Sequence, residues 1–150
     1  KNMKALLGSH LLSKTGLIGS QILDTQPLIL LYFSASWCPP CRQFTPTLID
    51  FYNKVNTPKK QAEVVLIPAD RTEEDFIDYY EKMPWLSVPF ANASIKQLLG
   101  EKYKVQTIPT LVLTDKDGNA LNTNCRWEVV QKGVEALKGW EELIAKTKTK

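Results

Sequence analysis

Six consecutive apolar residues at positions 28–33 set the strongest limit on how this chain of 150 residues folds. A strand with no polar alternation is buried on both faces, as in a parallel sheet that helices cover. A second buried strand is predicted at positions 62–67, where four consecutive apolar residues occupy 64–67. The two runs predict a layered α/β architecture.

Helical spacing follows the first run. Phe44, Leu48, Phe51 and Val55 recur at three- and four-residue intervals, which places them on one face of a helix that begins after the first cysteine. Pro46 lies inside this helix and is expected to kink it. The remaining pattern predicts a helix over 73–82 capped by Thr72 and a helix over 94–103 capped by Ser94. It then predicts strands at 110–114 and 120–125, joined by a turn at 115–119. A final helix is predicted over 129–144.

Composition fits one soluble domain over residues 1–150, with 1–26 as an N-terminal extension of short strands and 146–150 as a flexible tail. The net charge of +3 is too small and too scattered to indicate nucleic-acid binding. No apolar stretch is long enough for a membrane and no secretory leader is visible, so we expect a cytoplasmic protein, with the nucleus as the alternative. Three cysteines and one histidine exclude a disulfide-stapled scaffold and a histidine-rich metal site.

Cys38 and Cys41 lie where the first buried strand gives way to the first helix. Two cysteines three residues apart on the first helical turn bring their sulfurs close enough for a disulfide without backbone movement. The helix N-terminus carries partial positive charge, which stabilises a thiolate. Cys38 is therefore predicted to be the nucleophile. Cys41, one turn further along, is predicted to be more buried and to resolve the mixed disulfide.

Pro39 and Pro40 separate the two cysteines and have no N–H group to donate to the Cys38 sulfur. We therefore expect a less stabilised thiolate and a more reducing pair. The competing interpretation is a zinc site, because the pair, Cys125 and His10 together number four ligands. Cys125 and His10 are distant in sequence and form no second ligand cluster, so we expect no metal.

A proline, Pro109, stands immediately before the strand predicted at 110–114. Such a proline gives up one hydrogen bond of the sheet. Taken alone, the residues favour an ordinary trans peptide bond at this position.

These motifs resemble those of the thioredoxin superfamily, and within it the branch of tryparedoxins and nucleoredoxins. The resemblance covers residues 28–127 and rests on four stretches: 32–41 with Trp-Cys-Pro-Pro-Cys, 69–76, 82–90 with Met-Pro-Trp-Leu, and 108–111. It implies a thioredoxin fold, in which helices cover both faces of a central mixed β-sheet. It also implies a cis Pro109 opposite the cysteine pair and an Ile108 backbone that pairs with bound substrate.

The chain departs from its relatives at two positions. Common thioredoxins carry a buried aspartate six residues before the nucleophile, where this chain has Tyr32, so proton transfer to Cys41 is expected to use water or the Tyr32 hydroxyl. Tryparedoxins of trypanosomatids are reduced by trypanothione, a cationic polyamine-linked dithiol, and place an acidic residue where this chain has Arg71. A cation there argues against trypanothione as the reductant, and Asp70-Arg71 is the nucleoredoxin-like combination.

Several residues around the pair are expected to contact substrate. An exposed Trp37 is favoured over simple core packing, because aromatic side chains beside reactive groups are typical binding anchors. Arg126 either binds an anionic group of the substrate or is a solvated strand-end arginine. Trp85 is expected to be structural, and Cys125 to be a semi-buried thiol without a role. The predicted substrate-binding set is Trp37, Pro39, Pro40, Ile108, Pro109 and Arg126.

The predicted function is reduction of protein disulfides through a Cys38–Cys41 dithiol/disulfide cycle, with no cofactor beyond that disulfide. No Gly-x-Gly-x-x-Gly turn for a dinucleotide occurs. Expected partners are protein disulfides, with peroxidases among the candidates, and an external thiol or flavoenzyme as reductant. We expect a monomer. The alternative is a redox-sensitive protein-interaction module of nucleoredoxin type, in which oxidation of the pair changes binding.

Overall fold

The computed structural model describes residues 3–148, which contain seven strands together with α-helices and 3-10 helices. In chain order they are α1 (Met3–Leu7), β1 (His10–Ser13), β2 (Gly16–Gly19), a 3-10 helix (Ser20–Thr25), β3 (Ile29–Ser34), α2 (Pro39–Val55), β4 (Glu63–Pro68), α3 (Glu73–Glu81), β5 (Leu86–Ser87), α4 (Ala93–Lys102), β6 (Thr110–Thr114), β7 (Ala120–Asn122), α5 (Cys125–Lys132), a 3-10 helix (Gly133–Glu135) and α6 (Ala136–Thr147). No helix in this range is both long enough and apolar enough to span a membrane.

The strands form one mixed sheet in the order β2-β1-β5-β4-β3-β6-β7. β3 is an interior strand, parallel to β4 on one side and antiparallel to β6 on the other. Every residue of β3 is buried, as the apolar run predicts. The interior position of β3 therefore fixes where the chain that follows it, including Cys38 and Cys41, leaves the sheet.

Alternate residues of β3 enter two different hydrophobic cores. Leu30 and Tyr32 join the core formed with α2, α3, α5 and α6, whereas Leu31 and Phe33 join the core formed with α1 and α4. Helices therefore cover both faces of the sheet, and the predicted thioredoxin-type layering is confirmed. The first core contains Trp85, which is 1% exposed and packs edge-on against Tyr32, so the prediction of a structural role is confirmed.

Two boundaries predicted near the C-terminus are wrong. The strand predicted at 120–125 ends at Asn122, and Cys125 begins a helix instead. The helix predicted over 129–144 is two helices, α5 and α6, separated by a 3-10 turn at Gly133. Gly133 has a φ angle of 57°, a left-handed conformation that breaks a right-handed helix and favours glycine. Both helices face the same core, so the apolar spacing continues across the break and conceals it.

Other element ends agree or shift by about one residue. Thr72 caps α3 as predicted, with its hydroxyl accepting the Asp75 N–H at 3.1 Å. α4 begins at Ala93, before the predicted Ser94 cap, and its N-cap residue Asn92 makes no side-chain capping bond. Of the tail predicted at 146–150, residues 146 and 147 form the end of α6, and residues 149–150 lie outside the described range.

Candidate active site

The two cysteines occupy the start of α2, directly after the loop that leaves β3. Cys38 is the N-cap residue with extended backbone, and Pro39 and Pro40 fill the first two helical positions. Prolines suit these positions because the N–H they lack has no partner inside the helix. The first N–H of the helix is therefore that of Cys41, and it donates to Cys38 Sγ at 3.4 Å. The two prolines predict the loss of their own donors, but the sequence pattern does not predict this remaining donor.

Both cysteines of the pair are buried, unlike ordinary surface thiols. Cys38 is 5% exposed and Cys41 is 0% exposed. Burial, with a smaller contribution from the neighbouring Cys38 side chain, raises the pKa of Cys41 to about 11, although a hydrogen bond with Ser34 lowers it. The predicted order of burial, with Cys41 deeper, is confirmed. Pro39 and Pro40 next to the pair are exposed and form the surface over it.

The loop before β6 approaches the pair from the other side. The Cys38 thiol lies 3.6 Å from the carbonyl oxygen of Ile108. The Ile108–Pro109 peptide bond is cis, as the family resemblance implies, and Pro109 is buried. Thr57–Pro58 is also cis, which the sequence analysis did not predict. The Ile108 backbone thus borders the sulfur of the predicted nucleophile.

Trp37 lies on the surface beside Cys38 and is 45% exposed, as predicted. Its indole N–H donates to the carbonyl oxygen of Ala69 at 2.9 Å. The Arg71 guanidinium lies over the ring, 4.6 Å from its centroid, within the range of a cation–π contact. The chain after β4 therefore holds Trp37 in place and adds a positive charge to this surface.

Asp70 is a site residue whose structural role the sequence analysis missed. Its buried carboxylate accepts the Ser36 N–H at 3.1 Å and the Ser36 hydroxyl at 2.5 Å. β3 and β4 are parallel and in register at Ser34 and Pro68, so the residues that follow them meet at one sheet edge. A carboxylate three residues after the second buried run was the available signal.

Arg126 is the second residue of α5, not a strand-end residue as predicted. Its guanidinium lies 4.3 Å from the centroid of the exposed Trp127 ring. Its Nε is buried with no hydrogen-bond partner within residues 3–148. Arg126, Trp127 and Pro40 line one groove beside the start of α2. Of the predicted substrate-contact residues, Trp37 therefore contacts the chain after β4, and Arg126 lines a groove with Pro40.

The remaining cysteine and the histidine lie apart from this site. Cys125 is fully buried, not semi-buried, because it begins α5 inside the core that α2 and α5 share, and this burial raises its pKa. His10 is exposed and hydrogen-bonds Ser9. Within residues 3–148, no three histidine, cysteine, aspartate or glutamate side chains are close enough together to hold a metal ion.

Comparison with known proteins shows which family the chain belongs to. A family model described as thioredoxin-like matches residues 26–120. Tryparedoxin of Trypanosoma brucei brucei is 48% identical over 126 residues, which is 82% of this chain and 85% of that protein. Nucleoredoxin of Danio rerio is 42% identical over 100 residues, or 67% of this chain, but the match spans only 24% of the nucleoredoxin.

Solved structures give the same result. Tryparedoxin from Trypanosoma brucei superposes with a TM-score of 0.81 at 45% identity, covering 88% of this chain and 91% of that one. Tryparedoxin II in complex with glutathionylspermidine superposes with a TM-score of 0.80 at 41% identity, covering 88% and 93%. With a close cysteine pair at the start of α2 and relatives of this kind, the chain belongs to the thioredoxin-like family and is a thiol–disulfide oxidoreductase.

Proposed function

We propose that Cys38 is the attacking thiol and Cys41 the resolving thiol in the reduction of protein disulfides. The observation that carries this proposal is the contact at the helix start, where the Cys41 N–H donates to Cys38 Sγ at 3.4 Å. A donor at a helix N-terminus stabilises negative charge on Cys38. Cys41 is fully buried and has no direct access to a protein substrate. Cys38 is therefore the thiol that attacks first, and Cys41 the thiol that attacks second.

The reaction is a two-step exchange. The Cys38 thiolate attacks one sulfur of the substrate disulfide, forms a mixed disulfide and releases the first substrate thiolate. Cys41 then loses its proton and attacks Cys38 Sγ, which forms the Cys38–Cys41 disulfide and releases the second substrate thiolate. Two electrons pass to the substrate, and an external dithiol or a flavoenzyme returns them. The cycle needs no metal or other cofactor.

The substrate-contact surface is proposed to surround the pair. Trp37, Pro39 and Pro40 are exposed there, and the Ile108 backbone before Pro109 lies next to the Cys38 sulfur. An extended substrate segment that pairs with this backbone would bring its disulfide to Cys38. Arg126 is proposed to bind an anionic group of the substrate in the groove that it lines with Pro40. Protein disulfides, including those of peroxidases, are the expected substrates.

We infer a reductant that is not strongly cationic. Arg71 lies over Trp37 beside the pair, where its charge repels a polyamine-linked dithiol. Arg71→Glu is therefore expected to raise the rate of reduction by such a cationic dithiol, while the rate with uncharged dithiothreitol stays unchanged. Equal changes with both reductants would contradict this assignment.

The site is complete within one thioredoxin-like domain, so we propose that the protein acts as a monomer. Because the dithiol form must be restored after each turnover, a reducing compartment such as the cytoplasm suits it, with the nucleus as the alternative.

Insulin reduction by dithiothreitol tests the roles of the cysteines. Cys38→Ser is expected to abolish the catalysed rate, and Cys41→Ser to lower it strongly; reduced Cys41→Ser, mixed with substrate after dithiothreitol is removed, should retain the substrate as a mixed disulfide. Cys125→Ser is the matched control, because this third thiol is buried away from the pair, and it should keep the wild-type rate. Full activity of Cys38→Ser would overturn the proposal. A negligible wild-type rate with intact capture of partners would favour the redox-sensitive interaction module instead.

A further inference from the structure

Four buried hydroxyl groups lie in hydrogen-bond contact behind the cysteine pair. The Ser34 hydroxyl lies 2.7 Å from the Tyr79 hydroxyl, and the Tyr79 hydroxyl lies 2.7 Å from Thr45 Oγ1. Thr45 Oγ1 in turn lies 2.6 Å from the Tyr32 hydroxyl. These residues come from β3, α2 and α3, so the chain of hydroxyls exists only in the folded protein.

The side chain and the backbone carbonyl of Cys41 both contact this chain of hydroxyls. The Ser34 hydroxyl hydrogen-bonds the Cys41 side chain and lowers its pKa, against the burial that raises it. Thr45 Oγ1 lies 2.9 Å from the Cys41 carbonyl oxygen and donates its proton there. The network therefore borders the atom that must lose a proton before Cys41 can attack.

The direction of each hydrogen bond follows from counting protons. A hydroxyl has one proton and two lone pairs. Thr45 donates to the Cys41 carbonyl, so it accepts from Tyr79 and from Tyr32. Tyr79 has then used its proton and accepts from Ser34. A lone pair of Ser34 remains to accept the Cys41 S–H, so a continuous donor sequence runs from Cys41 to Thr45.

The outer end of this sequence reaches a surface groove. Thr45 and Tyr79 both line a groove of about 310 Å³ between α2 and α3. Exposed side chains that include Arg42, Asp75 and Asp78 form its rim, so the groove is open to water. Tyr32, in contrast, is fully buried and offers no exit.

We propose that Ser34, Tyr79 and Thr45 carry the Cys41 proton to the groove between α2 and α3 and hold the resulting thiolate. This proposal rests on the proposed resolving role of Cys41. The Cys41 proton passes to Ser34, the Ser34 proton to Tyr79 and the Tyr79 proton to Thr45, while the Thr45 hydroxyl turns from the Cys41 carbonyl towards the groove and gives its own proton to water there. The freed electron pair on Cys41 attacks Cys38 Sγ, the Cys38–substrate bond breaks, and the substrate sulfur leaves as a thiolate. After the transfer, Ser34 donates to the Cys41 thiolate.

The surroundings of Cys41 support this assignment. The titratable groups facing it are the Cys38 thiol at the start of α2, the Tyr32 phenol on β3 and the Tyr79 phenol on α3. The charged side chains at the groove rim are Asp75, Asp78, Arg42 and Lys82, and the buried Asp70 carboxylate bonds Ser36 in the loop before the pair. The three hydroxyls thus do the work that a buried carboxylate does in common thioredoxins, and they are positioning residues because none of them touches the substrate.

An aromatic disulfide that releases a coloured thiol separates the two steps. The wild-type dithiol should release the coloured thiol in two phases, the first from attack by Cys38 and the second from resolution by Cys41. Cys41→Ser should give the first phase alone, and Cys38→Ser should give neither. If these two variants behave otherwise, the proposed cysteine roles fail, independently of the proton route.

Tyr79→Phe tests the route itself, since it removes one hydroxyl and keeps the ring. The second phase is expected to slow about tenfold at neutral pH, and the midpoint of its pH profile to rise by about one pH unit, while the first phase is unchanged. Tyr80→Phe is the matched control on the same helix, because its hydroxyl bonds the carbonyls of Leu12 and Trp85 instead; it should leave both phases unchanged. A wild-type pH profile for the second phase in Tyr79→Phe would overturn the proposal.

Thr45 provides a second, independent test if Tyr79→Phe does not fold. Thr45→Ser keeps the hydroxyl and is expected to keep the wild-type second phase. Thr45→Val keeps the shape, removes the hydroxyl, and is expected to slow the second phase and shift its pH profile upward. Equal second-phase profiles for the two variants would also overturn the proposal.

Discussion

The burial of Cys41 makes the reduced protein sensitive to high pH, in a direction that the structure determines. The thiol is fully buried, and this burial raises its pKa from 9.0 to about 11. In the unfolded chain the thiol titrates near its ordinary value. Between these two values the unfolded state holds fewer protons than the native state, so the free energy of unfolding falls as pH rises. The stabilisation from the neutral buried thiol is complete below the unfolded pKa and is lost as pH rises through the folded pKa.

The expected magnitude follows from the two pKa values. Proton linkage gives a loss from Cys41 alone of about 1.4 kcal/mol at about pH 10, relative to neutral pH. Buried tyrosines add to the alkaline loss of the whole protein, since burial also raises the pKa of Tyr103 to about 12. A comparison of two proteins that share those tyrosines therefore isolates the cysteine.

Urea unfolding of the wild type and of Cys41→Ser, with a phosphine keeping all thiols reduced, measures this difference. Between about pH 7 and about pH 10, the wild type is expected to lose about 1.4 kcal/mol more unfolding free energy than the variant. Equal losses in the two proteins would refute the reasoning, because they would mean that Cys41 titrates at the same pH in the folded and unfolded states.

Three further predictions concern stability and thiol access. Trp85→Ala is expected to cost about 3–5 kcal/mol of unfolding free energy, because the ring is buried in the core, whereas Trp127→Ala at an exposed position should cost less than about 0.5 kcal/mol; comparable losses in urea unfolding would contradict the packing. Thr72→Ala removes the cap bond to the Asp75 N–H and is expected to cost about 1 kcal/mol, and an unchanged unfolding midpoint would exclude that contribution. Cys125 should resist alkylation in the native protein at neutral pH, because burial raises its pKa, and should react at once in urea; mass spectrometry showing native labelling at this residue would contradict its burial.

Local patterns in the sequence predicted much of this fold. The apolar run became the central strand β3, buried along its whole length, and the change to helical spacing marked the start of α2. Thr72 and the glycine in the turn after β6 also behaved as their residue types predict, with Gly118 at a φ angle of 89°. The separation of the C-terminal helices was harder to predict from the sequence, because the break at Gly133 leaves the apolar spacing intact.

The sequence by itself determined the cysteine pair and its place at a helix start, because three-residue spacing and the preceding strand are local properties of the chain. It did not indicate that the Ser36–Asp70 contact supports the loop before Cys38, nor that Ser34, Thr45 and Tyr79 meet behind Cys41. Only the tertiary structure decided these contacts. They join residues more than ten positions apart, and the parallel register of β3 and β4, with α2 and α3 packed against one face of the sheet, is what brings them within hydrogen-bond distance.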